Sequence, residues 1–151
     1  KNTMSSKFNS FLPLKKSPKK KHIKEMLENK EIDEKFYYKQ NFYAYDKIKD
    51  VIKSKNTVYQ WRRVYVRENK SGECPTLTAN MGTGGHNVPL ILDDLGIRKL
   101  TPKECLNFQG YPKSFYFPEK MPNSQRYKQA GNSVTVKLIN RLAKIILASI
   151  K

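Results

Sequence analysis

The segment LTPKECLNFQG, residues 100–110, constrains the local fold more tightly than any other stretch of this chain. Thr101 is an N-cap, Pro102 suits the first helical position, and Glu104 stands three residues after the cap, where its carboxylate can reach back to the cap's own N–H. The spacing predicts a helix that runs to about Gln109. Gly110 stops it, because glycine takes the left-handed conformation without a Cβ clash. Leu106 and Phe108 are expected in the core. Glu104 is assigned to capping, and Arg98 to a structural ion pair or a phosphate contact.

Around this anchor the pattern mixes strands and helices. VYQWRRVYVR, residues 58–67, is rich in β-branched and aromatic residues and reads as a strand. Alternation along such a strand puts Arg63 and Arg67 on one face and Arg62 on the other. ENKSGE reads as a turn, PTLTA as a short strand and NMGTGGH as a glycine-rich loop. VPLIL and IRKL read as two further short strands separated by the turn DDLG. HIKEMLEN is expected to form a short helix, and residues 44–53 another. In SVTVKLINRLAKIILASI, residues 133–150, Leu138, Leu142, Ile145 and Ser149 fall on one side of a long helix, and Ile139, Ile146 and Ile150 widen that stripe. Asn132 or Ser133 would cap its start. So apolar a stripe needs a partner surface, and the rest of the chain is short of one. Residues 1–21, dominated by Lys and Ser with Pro13 and Pro18, read as a basic tail or linker. No internal repeat is present.

Charge sets the class of partner. The chain carries 30 Lys and Arg against 13 Asp and Glu, a formal net charge of +17, and every Arg lies beyond residue 56. So positive a field favours an anionic partner, with nucleic acid first. A solvated basic surface is the plainer reading. No segment joins a strong apolar face to a basic one at the length a membrane surface requires, and no transmembrane run or signal peptide is visible. Cys74 and Cys105 form no C-x-x-C, and with two His they cannot assemble a clustered zinc set. A reducing, cytoplasmic compartment fits. The aromatics of KFYYKQNFYAY could stack on bases or pack a small core.

Three stretches together resemble the DNA (cytosine-5)-methyltransferase family. RKLTPKECLNFQGYP resembles that family's ninth conserved motif, and QRYKQAGNSVTVKLINRLAKII its tenth. YVRENKSGECPTLTANMGTGGHNVPLI resembles the end of the variable target-recognition region, with Thr76-Leu77 as its Thr-Leu pair. The likeness covers residues 58–150 well and residues 22–57 weakly. The family's Phe-x-Gly-x-Gly loop for S-adenosyl-L-methionine (AdoMet), its Pro-Cys nucleophile and its Glu-Asn-Val are absent from these 151 residues. Cys74 precedes a proline rather than following one, and both cysteines read as packing residues. The resemblance therefore implies the C-terminal part of such an enzyme, with no catalytic residue in this chain. Lys1 in place of an initiating Met, with Met4 nearby, points the same way.

The resemblance carries specific expectations. The fold should be α+β: a small, irregular, β-rich target-recognition domain, plus a helical C-terminal piece that completes a Rossmann-like methyltransferase domain. Residues 1–21 would be the tail, 22–112 the recognition region with the ninth motif, and 113–151 the tenth motif and a helix that docks on a catalytic domain outside this chain. Duplex DNA would be contacted by Arg62, Arg63, Arg67, Thr76, Leu77, Thr78, Asn80, Gly82, Thr83, Gly84, Gly85 and His86. Taken alone, the glycines could be a mobile hairpin loop and His86 an ordinary loop residue. Asn132, Ser133 and Val134 would complete the AdoMet pocket at a helix N-terminus, where free N–H groups favour an anion. A simple helix cap is the alternative there. The partners would be double-stranded DNA and the N-terminal catalytic half, and the setting a restriction-modification system. Two other classes remain: a catalytically inactive stand-alone DNA-binding module or truncated remnant, and an RNA-binding protein that uses the aromatic-rich first part.

Overall fold

The computed structural model describes residues 22–62, 64–69, 73–82 and 88–150. The expectations for the tail 1–21 and for Arg63, Thr83, Gly84, Gly85 and His86 lie outside the described residues.

The fold is α+β. Four short antiparallel strands form one sheet in the order β2-β1-β3-β4, with β1 at Val58–Arg62, β2 at Tyr65–Asn69, β3 at Leu90–Leu92 and β4 at Ile97–Lys99. Residues 58–67 are not the single strand their composition predicts. The chain reverses after Arg62, and β1 and β2 pair as a hairpin, with Arg62 opposite Tyr65 and Gln60 opposite Arg67. A two-residue reversal preserves period-two alternation on both sides, so composition alone cannot distinguish it from a continuous strand. PTLTA is not a strand either; residues 73–78 are irregular and lead into a 3₁₀ turn at Ala79–Gly82. The DDLG turn between β3 and β4 forms as expected, with Asp93 N–H donating to Gly96 O at 3.0 Å.

The sheet separates two apolar clusters. Tyr59 and Trp61 of β1 turn to one side and pack with Ala44, Ile48 and Ile52, from or beside helix α1 at Tyr45–Val51, and with Leu90 and Ile97. Val58 turns to the other side, where Ile23, Met81, Val88, Ile91, Leu100, Cys105, Leu106, Tyr127 and Ala130 close the second cluster. HIKEMLEN forms only a 3₁₀ turn at Ile23–Met26, and its one fully buried side chain is Ile23. So few apolar anchors do not sustain a longer helix.

Helix α2, Pro102–Phe108, starts as its sequence dictates. Thr101 Oγ1 accepts from Glu104 N–H at 3.1 Å, and Glu104 Oε2 accepts from Thr101 N–H at 2.8 Å. Its end is equally defined. Gly110 has φ of +83°, Tyr111 N–H donates to Leu106 O, and Gly110 N–H donates to Asn107 O. These two bonds satisfy carbonyls that the helix end would otherwise leave open. Leu106 is buried and Phe108 packs beside it.

A further helix, α3 at Asn123–Asn132, is not evident from the sequence, because NSQRYKQAGN presents only Tyr127 and Ala130 to the core. Tyr127 is held by its hydroxyl, which donates to Leu100 O at 2.6 Å. Thus residues on both sides of position 112 share one cluster. Helix α4, Val136–Ile150, starts after a short corner. Its stripe is partly open: Leu138, Ile139 and Ile146 are 43%, 45% and 38% exposed, while Leu142 and Ile145 are half-buried. The rest of the described chain covers it only in part.

Candidate nucleic-acid interface

The β1–β2 hairpin has one face packed on α1 and an opposite face that is polar beyond the buried Val58. Because Tyr59 and Trp61 point into the α1 cluster, the intervening positions of β1 point the opposite way, and the antiparallel register adds their partners from β2. Gln60, Arg62, Tyr65, Arg67 and Asn69 therefore share a face. This corrects the expectation that Arg62 and Arg67 diverge. The hairpin turn reverses the chain, so parity along one strand no longer decides which residues are neighbours.

This face floors a groove of about 330 Å³, walled by the irregular segment after β2. Gln60, Arg62, Arg67 and Asn69 come from the hairpin, and Cys74, Pro75, Thr76 and Thr78 from the wall. Arg62 and Arg67 are exposed, and neither guanidinium has an ion-pair partner among the described residues. Two uncompensated guanidiniums beside carboxamides and hydroxyls form a donor-rich concave surface suited to phosphates and base edges. Gln60, Tyr65 and Asn69 escape a linear reading. Their signal is register, which emerges only once the hairpin is known.

The wall is anchored from below. Leu77 packs against the core, Met81 is 2% exposed, and Thr76, Thr78 and Asn80 face outward. Thr78 Oγ1 donates to Asn80 Oδ1 at 2.5 Å, and Gly82 ends the 3₁₀ turn. Leu77 thus holds the segment down while its polar neighbours lie at the surface.

At the opposite edge of the sheet, on and beside β4, lies a charge network. Arg98 donates to Glu104 through Nη1–Oε2 at 2.7 Å and Nη2–Oε1 at 2.8 Å, and to Asp93 Oδ2 through Nε at 2.6 Å. Burial works against the Arg98 charge, but the two carboxylates outweigh it and hold its pKa above the ordinary value. Of the alternatives for Arg98, the ion pair is the one present. Glu104 also accepts from Glu28 N–H at 3.1 Å, so one carboxylate caps α2, neutralises Arg98 and fastens the segment after the Ile23–Met26 turn.

Burial pushes the Cys74 thiol up to about 12 and raises Cys105, which is 0% exposed, well above its ordinary value.

The tenth-motif residues lie at the α3–α4 corner, not where the helix-start expectation put them. Asn132 closes α3 and Ser133 is its C-cap, with Ser133 N–H and Oγ–H both directed to Ala130 O. α4 begins only at Val136, and Thr135 O accepts from Leu138 and Ile139 N–H. The dipole at Asn132 and Ser133 is therefore that of a helix C-terminus, which disfavours an anion. The residues fit one edge of a polar cofactor. Asn132 is exposed and offers a donor and an acceptor, Ser133 retains only acceptor lone pairs, and Val134, 56% exposed, offers apolar contact. Gln109, which the sequence alone marks only as a helix end, fixes this corner. Its side chain donates to Ala130 O at 2.8 Å and Ser133 O at 3.3 Å, and its own carbonyl accepts from Val136 N–H at 2.9 Å.

Residues 1–148 match the family of C-5 cytosine-specific DNA methylases. The chain belongs to this family. It is 56% identical over 129 residues to the type II methyltransferase M.Bsp6I of Bacillus sp. (strain RFL6), a match covering 84% of this chain and 41% of that relative. A 35% identical match to the type II methyltransferase M.SsoII of Shigella sonnei covers 50% of this chain and 19% of that protein. The human tRNA (cytosine(38)-C(5))-methyltransferase is 46% identical over 52 residues, 34% of this chain and 13% of the relative. The chain thus spans well under half the length of these family members. No solved structure matches it. Among the described residues, no helix is long and apolar enough to cross a membrane.

Proposed function

We propose that this chain is the C-terminal part or subunit of a DNA (cytosine-5)-methyltransferase of a restriction-modification system, and that it recognises a duplex site and completes the AdoMet pocket. The observation that carries this reading is the groove in which Arg62 and Arg67 meet Gln60, Asn69, Thr76 and Thr78 on one open face. Methylation at carbon 5 requires the cytosine to leave the stack, and the unstacking is offset by contacts to the surrounding duplex. In this reading Arg62 and Arg67 neutralise phosphates or donate to guanine edges. Gln60, Asn69 and Asn80 bond base edges, while Thr76, Thr78 and Gly82 let the wall approach the backbone. The resemblance of their stretch to the family's target-recognition region assigns Arg63, Thr83, Gly84, Gly85 and His86 to DNA contact as well.

AdoMet supplies the methyl group, and Asn132, Ser133 and Val134 form one edge of its site. The N-terminal catalytic half provides the thiolate and the remainder of the pocket, and covers the open stripe of α4 in a Rossmann-like domain. In domain terms, residues 22–112 read DNA and residues 113–151 dock on that half. The matches to tRNA methyltransferases make RNA the competing substrate.

The test is methyl transfer from labelled AdoMet to duplex DNA and to tRNA. It compares the chain alone, the catalytic half alone, and the two mixed or joined. Transfer to duplex only when both are present is the expected result. Transfer by the chain alone overturns the assignment of the nucleophile, and transfer to tRNA in preference to duplex overturns the substrate.

A further inference from the structure

Helix α3 packs along the groove wall, and at Gly131 the two main chains come close enough to leave no room for a side chain. A methyl group built on Gly131 would overlap the carbonyl of Thr78 and the amide nitrogen of Ala79, both main-chain atoms that cannot rotate away. The same Thr78 carbonyl accepts from Met81 N–H at 3.1 Å, and Met81 sits in the cluster that contains Ala130, the residue beside Gly131. The wall is therefore held directly against α3, from the core side and from the backbone side. At that neighbouring position, Ala130 O receives the Gln109 amide at 2.8 Å and Ser133 Oγ at 2.7 Å, and Gln109 reaches Ser133 O and the start of α4. A continuous packed and hydrogen-bonded path thus leads from Thr78, in the groove, to Ser133, at the α3–α4 corner.

We propose that Gly131 is a positioning residue that couples the two sites: its missing side chain lets the groove wall seat on α3, so that DNA in the groove and AdoMet at the corner bias each other's binding. This rests on the proposed function. Closely packed elements change arrangement in discrete steps rather than by gradual deformation. A wall that must stand off from α3 loses its fixed relation to the corner, and the energetic link between the sites falls with it. The link is reciprocal, so it can be measured from either ligand.

The experiment uses the chain together with its catalytic half and measures the Kd of S-adenosyl-L-homocysteine, which cannot react, with and without a duplex that the wild type methylates. The ratio of the two values is the coupling factor, expected in the wild type to be roughly 5-fold or more. Circular dichroism of each variant is recorded alongside, because an unfolded population in equilibrium with the folded one weakens an apparent Kd, and only variants folded to the wild-type extent are compared. Gly131→Ala should reduce the coupling factor to below about a third of its wild-type value, while each ligand alone still binds. Gln109→Ala cuts the same path at its other end without crowding Thr78 and should act in the same direction. It decides the matter if Gly131→Ala does not fold. Coupling unchanged in Gly131→Ala, or in Gln109→Ala when it stands in, overturns the inference alone. A wild type that binds both ligands without coupling also overturns it. A wild type that binds neither overturns the proposed function and this inference with it.

Discussion

Arg98 and Glu104 face each other across two parallel hydrogen bonds of 2.7 and 2.8 Å, with side chains 2% and 0% exposed. Removing Glu104 leaves the buried Arg98 guanidinium with Asp93, bonded through Nε alone, as its one remaining ion-pair partner among the described residues. Glu104→Ala should therefore cost about 3–5 kcal/mol, and it also loses the α2 cap. Urea unfolding of the purified chain measures this. The double variant Arg98→Met, Glu104→Leu should lose clearly less than the sum of the two single variants, because it strands no charge in the core; Asp93 loses Arg98 but is 21% exposed and keeps its bonds from Tyr37 and Leu95 N–H. Additive losses would mean that the pair is not coupled.

Asp93 links this pair to pH. Burial alone would raise its carboxyl, but bonds from Arg98, Tyr37 and the Leu95 N–H outweigh it and hold the folded-state pKa below the ordinary value of 3.8. A folded pKa below the unfolded one means that the contribution is complete above the ordinary carboxylate range and is lost as pH falls through the folded value. Asp93→Asn should thus be less stable than wild type at pH 7, and the difference should shrink as pH falls below about 4. Urea midpoints for both proteins at a series of pH values decide this. A difference that stays constant to pH 2 would show that Asp93 acts through shape alone.

The legible parts of the fold are those in which a few adjacent residues carry the whole instruction. Thr101, Pro102, Glu104 and Gly110 specify α2 and both its ends within ten positions, and the DDLG turn is equally local. The illegible parts share one cause: the deciding partner is distant in sequence. The hairpin hides in residues 58–67 because reversal preserves alternation, so Gln60 and Arg67 become neighbours only in three dimensions. α3 hides because Tyr127 and Ala130 are its only buried residues and their partners lie at Leu100 and Met81. The α3–α4 corner is misplaced by a linear reading for the same reason. Gln109, from another helix, takes up the Ala130 and Ser133 carbonyls there and sets the start of α4 at Val136. Of the residues proposed to read DNA, Arg62, Arg67, Thr76 and Thr78 line one groove, while Leu77 packs against the core.

The thiols offer a chemical check on where the nucleophile lies. Burial raises both, Cys74 to about 12, so almost none of either is thiolate at pH 8. Iodoacetamide at pH 8 should label the native chain far more slowly than the same chain in urea, by roughly tenfold or more given the scarcity of thiolate. Mass spectrometry of time points reads both sites separately. Rapid labelling of native Cys74 would place a reactive thiolate in the groove and reopen the question of catalysis within this chain.

Under the proposed function, Arg62 and Arg67 make separable contributions to DNA binding. Each phosphate neutralised contributes about 0.9 to the slope of log K against log salt for duplex DNA. If both guanidiniums serve in the groove, Arg62→Ala and Arg67→Ala should each flatten that slope by about one, measured by fluorescence anisotropy with a duplex the enzyme methylates. Arg67 stands beside Gln60 inside the groove, whereas Arg62 sits at the hairpin end. Arg67→Lys should accordingly restore the slope but not the discrimination between sites, because a lysine keeps the charge and loses the planar two-bond fork that reads guanine. The discrimination lost should be about 1–3 kcal/mol at one base pair, scored by binding to a set of singly substituted duplexes. Full recovery of both slope and preference by Arg67→Lys would reduce Arg67 to a phosphate contact and leave base reading to Gln60 and the groove wall.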